Sequence, residues 1–68
     1  MVLIFGKENC AYTRAASEDY AQRDIEFEYI DVRSSRSEMD RMLGYTNGVR
    51  RVPVIVDNGK VIIGFGGT

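Results

Sequence analysis

The 68-residue chain has one cysteine, one proline and no histidine. A disulfide within the chain is therefore impossible, and bridges do not offset the small size. One thiolate without imidazoles does not supply the N/S ligand set of an ordinary mononuclear zinc site. An unpaired thiol suits a reducing compartment, so a cytoplasmic location is expected. Long apolar runs are also missing. The run Met1–Phe5 is too short to cross a bilayer and lacks the basic start of a signal peptide. No charge sign dominates: nine Lys+Arg against ten Asp+Glu leave a net charge of −1, which excludes a strong field for nucleic acid. Apolar residues at 44% and charged residues at 28% match an ordinary globular protein. A chain of this length buries only about 60% of its unfolded surface. Residues 1–68 are thus expected to form one domain with one thin core, two layers at most, and an interdomain cleft is excluded.

No repeat, linker or low-complexity tract interrupts the chain. Val2 to Phe5, bounded by Gly6, reads as a buried strand. Asn9 is an N-cap candidate, which places Cys10 in the first turn of a helix running to about Arg23. Tyr12, Ala15, Ala16 and Tyr20 recur on it at helical spacing, and Asp24 takes the stop position. Ile25, Phe27 and Tyr29 alternate as in a strand, and Ile30 and Val32 carry apolar character to its other face. Ser35 and Glu38 fit a capping box for a second helix with Met39, Met42 and Leu43 inward, stopped by Asn47-Gly48. Val52 to Val56 and Val61 to Phe65 read as strands joined by Asp57-Asn58-Gly59-Lys60, a type I′ turn. The predicted order is β-α-β-α-β-β: a right-handed parallel crossover, then an antiparallel hairpin, in one four-stranded mixed sheet covered by two helices.

The residue with most chemistry is Cys10 at the strand-loop-helix junction. Amide N–H groups of a first helical turn lack partners within the helix. With the helix dipole they favour a thiolate, and Lys7 adds positive charge nearby. A thiolate is the nucleophile of disulfide exchange. The alternative is a small buried hydrophobe, but the polar loop before Cys10 favours a reactive thiol. Thr13, one turn on, either donates its hydroxyl to that thiolate or is a helix-surface threonine. Tyr12 packs under a substrate or belongs to the helix's apolar face. Val52-Pro53 either offers a backbone edge to a peptide-like ligand or is an ordinary edge proline. Gly64-Phe65-Gly66-Gly67 either brings N–H groups close to a carboxylate or is a loose end. Arg50-Arg51 reads first as solvated surface.

Together these residues resemble the glutaredoxin family of thioredoxin-like proteins. Lys7-Glu8-Asn9-Cys10-Ala11-Tyr12-Thr13 is similar to that family's K-x-x-C-P-Y-C or C-x-x-S segment, Val52-Pro53 to its cis-proline site, and Gly66-Gly67 to its double glycine. The segments occur in family order and at family-like spacing over nearly the whole chain. The resemblance extends to short bacterial glutaredoxin-like (seleno)proteins, where the segment reads U-x-x-T or C-x-x-T. Ala11 departs from the usual proline, and Thr13 stands where dithiol members have a second cysteine. Arg51 replaces a usual threonine, and Val49 stands where glutamine or arginine often meets a glycyl carboxylate. Most of the family continues past the double glycine into a third helix, which is expected to be absent here.

The resemblance implies a thioredoxin-like α/β fold, a cis Val52–Pro53 bond and a monothiol, glutathione-dependent thiol-disulfide oxidoreductase. Cys10 would be the nucleophile, with Lys7 and Thr13 stabilising its thiolate. Tyr12, Arg51, Val52, Pro53, Gly66 and Gly67 would bind the substrate. Glutathione would be co-substrate, glutathionylated proteins the partners, with no tightly bound cofactor and no metal, and the chain a monomer. The rival implied by the same resemblance is a binding module, in which Cys10 bridges an iron–sulfur cluster between subunits or docks a partner protein.

Overall fold

The computed structural model describes residues 1–66. The elements are β1 (Val2–Gly6), α1 (Ala11–Gln22), β2 (Phe27–Asp31), α2 (Arg36–Thr46), β3 (Val54–Asp57) and β4 (Lys60–Ile63). The sheet order is β2-β1-β3-β4. β1 runs parallel to β2 and antiparallel to β3, and β3 is antiparallel to β4. This is the expected mixed sheet. Among the described residues no helix is long and apolar enough to cross a membrane.

Local chemistry explains most boundaries. α1 stops at Asp24, which adopts a left-handed φ of 58°. The N–H of Ile25 then donates to Tyr20 O at 3.0 Å and that of Asp24 to Ala21 O at 3.1 Å, a Schellman arrangement that satisfies the last carbonyls. Ser35 caps α2 by accepting from the Glu38 N–H at 3.3 Å. The predicted capping box is only half made, because the Glu38 carboxylate turns to Arg41 at 3.0 Å instead. Asn47 at φ 58° and Gly48 at φ 94° end α2. Asn58 at φ 50° and Gly59 at φ 90° make the turn between β3 and β4, with both central residues left-handed as a type I′ turn requires.

Three expectations need correction. First, β3 begins at Val54 and not Val52: the first pair across to β1 is Phe5 with Val54, and Pro53 has no N–H for the ladder. β4 likewise ends at Ile63, because Gly64 turns at φ 91° and donates its N–H to Pro53 O at 2.8 Å. Second, the buried stripe of α1 is Thr13, Ala16 and Tyr20, while Tyr12 and Ala15 face outward. That stripe still has i, i+3, i+7 spacing, rotated by one residue. Third, two layers are too few. α1 and α2 cover opposite sheet faces, so the apolar residues form two clusters. One joins Phe5, Ile30, Val54 and Val56 to Met42 of α2; the other joins Val2, Ile4 and Ile55 to Ala16 and Tyr20 of α1. The central strands β1 and β3 therefore need apolar residues at every position and not at alternate ones.

Phe5 anchors the first cluster. It is 0% exposed. Its ring centroid lies 5.8 Å from that of Tyr45, and the Arg41 guanidinium sits 5.7 Å from it. Truncating a buried phenylalanine costs about 3–5 kcal/mol, a large share of the stability of a small domain. Phe5→Ala should therefore abolish the cooperative urea transition or move it close to zero denaturant, as read by far-ultraviolet circular dichroism.

Candidate functional site

β1 ends at Gly6, and the chain turns so that the Cys10 N–H donates to Lys7 O at 3.2 Å. That turn delays the helix by one residue. Cys10 itself, not Asn9, is the N-cap of α1, with extended φ −99° and ψ 116°. Its carbonyl opens the helical ladder by accepting from Arg14 N–H at 3.1 Å. The side chain is thus at the position where an acceptor ordinarily satisfies the free amides two and three residues on. Its sulfur makes no such cap bond in this structure.

The surroundings favour the anion. The Cys10 pKa lies below the ordinary value of 9.0, chiefly because of the Thr13 hydroxyl. Partial burial pushes the other way. The backbone N–H groups of Thr13 and Tyr12 and the charge of Lys7 add to the lowering, Lys7 least. Thr13 is only 3% exposed, and its buried hydroxyl has no aligned hydrogen-bond partner. These facts are compatible. A thiol accepts weakly and with directional demands, whereas a thiolate presents lone pairs all round and makes stronger, charge-assisted bonds. Deprotonation therefore completes both the helix cap and the Thr13 bond.

The other expected residues lie as follows. Tyr12 is 42% exposed. A β-carbon on Gly66 would stand 3.9 Å from its Cδ1, so Tyr12 and the 64–66 segment are neighbours. The Val52–Pro53 bond is cis and Pro53 is fully buried. Because Phe5 pairs with Val54, the Cys10 loop and Val52–Pro53 leave adjacent strands at the same end of the sheet. The Val52 N–H and C=O make no hydrogen bond among the described residues. Arg50 and Arg51 are exposed, and neither forms an ion pair there. Gly67 lies outside the described residues. No group of three potential metal ligands occurs among those described.

One feature of the site has no signature in the residue pattern. A groove of about 520 Å³ runs between α1 and the edge strand β2, lined by Lys7, Thr13, Arg14, Phe27 and Tyr29 among others. It shares Lys7 and Thr13 with the surroundings of Cys10. Burial, then the charges of Asp31, Glu8 and Cys10, raise the Tyr29 pKa, which keeps that phenol protonated. The Phe27/Tyr29 alternation was visible, but placing Tyr12 on the inner face of α1 turned Thr13 and Arg14 away from β2.

A family model for glutaredoxin matches residues 2–62. The chain belongs to the glutaredoxin family. A search of curated proteins returned no match. Among solved structures, a thioredoxin-like protein superposes with a TM-score of 0.86 at 21% identity, over 97% of this chain and 89% of its own. A glutaredoxin from Archaeoglobus fulgidus gives 0.83 at 21% identity, over 96% and 75%. A buckwheat glutaredoxin, solved as its glutathione complex, gives 0.76 at 24% identity, over 93% and 59%. The fold is therefore thioredoxin-like, and the glutaredoxin family is one of thiol-disulfide oxidoreductases.

Thr13→Val separates chemistry from packing. It replaces a buried hydroxyl, unpaired while Cys10 is protonated, by a methyl of the same shape, so at pH values below the Cys10 pKa the fold should be unchanged or about 1 kcal/mol more stable. The pH midpoint of Cys10 alkylation should nevertheless rise. Loss of stability with an unmoved midpoint would show that Thr13 serves packing alone.

Proposed function

We propose that this glutaredoxin is a monothiol enzyme that reduces glutathione mixed disulfides through Cys10. The observation that carries the reading is a partly exposed sulfur at the N-cap of α1, favoured as the thiolate, at the same end of the sheet as the free backbone edge of Val52. The thiolate attacks the glutathione sulfur of R–S–S–G. A Cys10–glutathione bond forms, the R–S bond breaks, and R–S⁻ leaves and takes a proton from water. The thiolate of a second glutathione then attacks the glutathionyl sulfur, releasing oxidised glutathione and restoring the Cys10 thiolate. The two glutathiones supply both electrons, so one cysteine suffices.

The tripeptide fits the surroundings. The Val52 N–H and C=O can pair with its backbone as an added strand does. Arg50 and Arg51 complement a carboxylate there, with Arg51 adjoining Val52. Tyr12 flanks the sulfur next to Gly66, whose backbone N–H suits the other carboxylate. Lys7 and Thr13 stabilise the thiolate. The buckwheat relative was solved with glutathione, which supports the same co-substrate here. A thiol that must stay reduced fits a cytoplasmic setting, and a single-cysteine cycle runs in a monomer.

Mass spectrometry tests this. Oxidised glutathione should add one glutathionyl group to Cys10, and reduced glutathione should remove it. Cys10→Ser should show neither change. An unmodified Cys10 under these conditions would contradict glutathione as co-substrate.

A further inference from the structure

Gly6 ends β1, opposite Asp31 in the parallel ladder, and its carbonyl accepts from the Val32 N–H at 3.0 Å. It is buried, and it is not among the residues with left-handed φ. Its backbone conformation is therefore open to any residue. What excludes a side chain is one neighbour. A β-carbon at Gly6 would lie 2.7 Å from Thr13 Oγ1 and 3.0 Å from its Cβ, and closer still to its Cγ2. The approaches to Oγ1 and Cγ2 are closer than packed interiors show, so one partner must move, whereas the approach to Cβ alone is relieved by a shift of a few tenths of an ångström. Thr13 has little freedom to do so. It belongs to the buried stripe of α1 with Ala16 and Tyr20, and a β-branched residue in a helix has few allowed χ1 rotamers. Rotating χ1 to clear a methyl moves the hydroxyl; shifting the start of α1 moves the hydroxyl and the capping amides together.

We propose that Gly6 is a positioning residue for Cys10: the space left by its missing side chain is the seat of Thr13, and it holds the Thr13 hydroxyl at the sulfur. The inference rests on Cys10 as the reacting thiol, but not on glutathione as its partner. It adds the residue immediately before the Lys7–Thr13 segment, four positions ahead of Cys10, one that contacts no substrate and acts only through Thr13.

A double-mutant cycle of Gly6→Ala, Thr13→Ala and the pair tests it, read by the pH midpoint of Cys10 alkylation and by denaturant stability. Gly6→Ala should raise the midpoint and slow alkylation at neutral pH by about the same factor as Thr13→Ala. In the Thr13→Ala background, where Cγ2 and Oγ1 are gone, Gly6→Ala should add little to either readout. An unmoved midpoint in folded Gly6→Ala, or an equal further shift in the double variant, overturns the proposal. If Gly6→Ala alone does not fold, the double variant must fold for the proposal to stand, and an unfolded double variant overturns it. Glutathione turnover is not part of the readout. A failed glutathionylation experiment with an intact cycle would remove only the substrate, and the reverse result only the role of Gly6.

Discussion

The site depends on the way the N-terminus of α1 is seated on the end of β1. A helix start carries amides without intrahelical partners and half a positive charge. In this chain the residue placed to satisfy them is a cysteine, whose sulfur makes no cap bond in the structure. Thr13 beneath it carries a buried hydroxyl in the same condition. Both deficits point to one species, an anionic sulfur at Cys10. The folded chain thus carries a small unmet hydrogen-bonding demand that the reactive form of the residue fulfils.

The rest of the fold holds that seat in place. β1 is central and buried on both faces, pairing with β2 on one side and β3 on the other. Ala16 and Tyr20 press α1 onto one face, and Met42 holds α2 on the other. Since β3 starts opposite Phe5, the same strand that presents Cys10 also places Val52–Pro53 at that end of the sheet. Gly64, bonded to Pro53 O, brings the 64–66 segment alongside Tyr12. The proposed nucleophile and the backbone edges proposed to receive a peptide thus share one end of one sheet.

Much of this was legible in the sequence. The element order, the helix stops at Asp24 and Asn47 and the Asn58-Gly59 turn follow from residue types whose local physics is specific, whereas the cis Val52–Pro53 bond was implied only by the family resemblance. The cap and the phase of α1 were not legible. Asn9 is the better capping residue by type, but the turn closed by Cys10 N–H onto Lys7 O moves the cap one residue on. Tyr12 looks more apolar than Thr13, yet the close approach of α1 to the glycine ending β1 admits only the smaller side chain. That is a tertiary contact, and it has no signature in the spacing of apolar residues. The groove beside β2 was hidden for the same reason.

The site turns on the capping of α1 by deprotonated Cys10. Its folded pKa lies below the ordinary value of 9.0. A depressed pKa contributes stability that is fully present above the unfolded value and is lost as pH falls through the folded value. The direct measurement is unfolding free energy against pH for the natural chain and for Cys10→Ser. Serine caps a helix at every pH, and a good cap contributes about 1 kcal/mol. Cys10→Ser should therefore be the more stable chain at pH values well below the folded Cys10 pKa, and the natural chain should gain on it as pH rises towards 9.0. A difference between the two chains that stays constant across that window would contradict the claim.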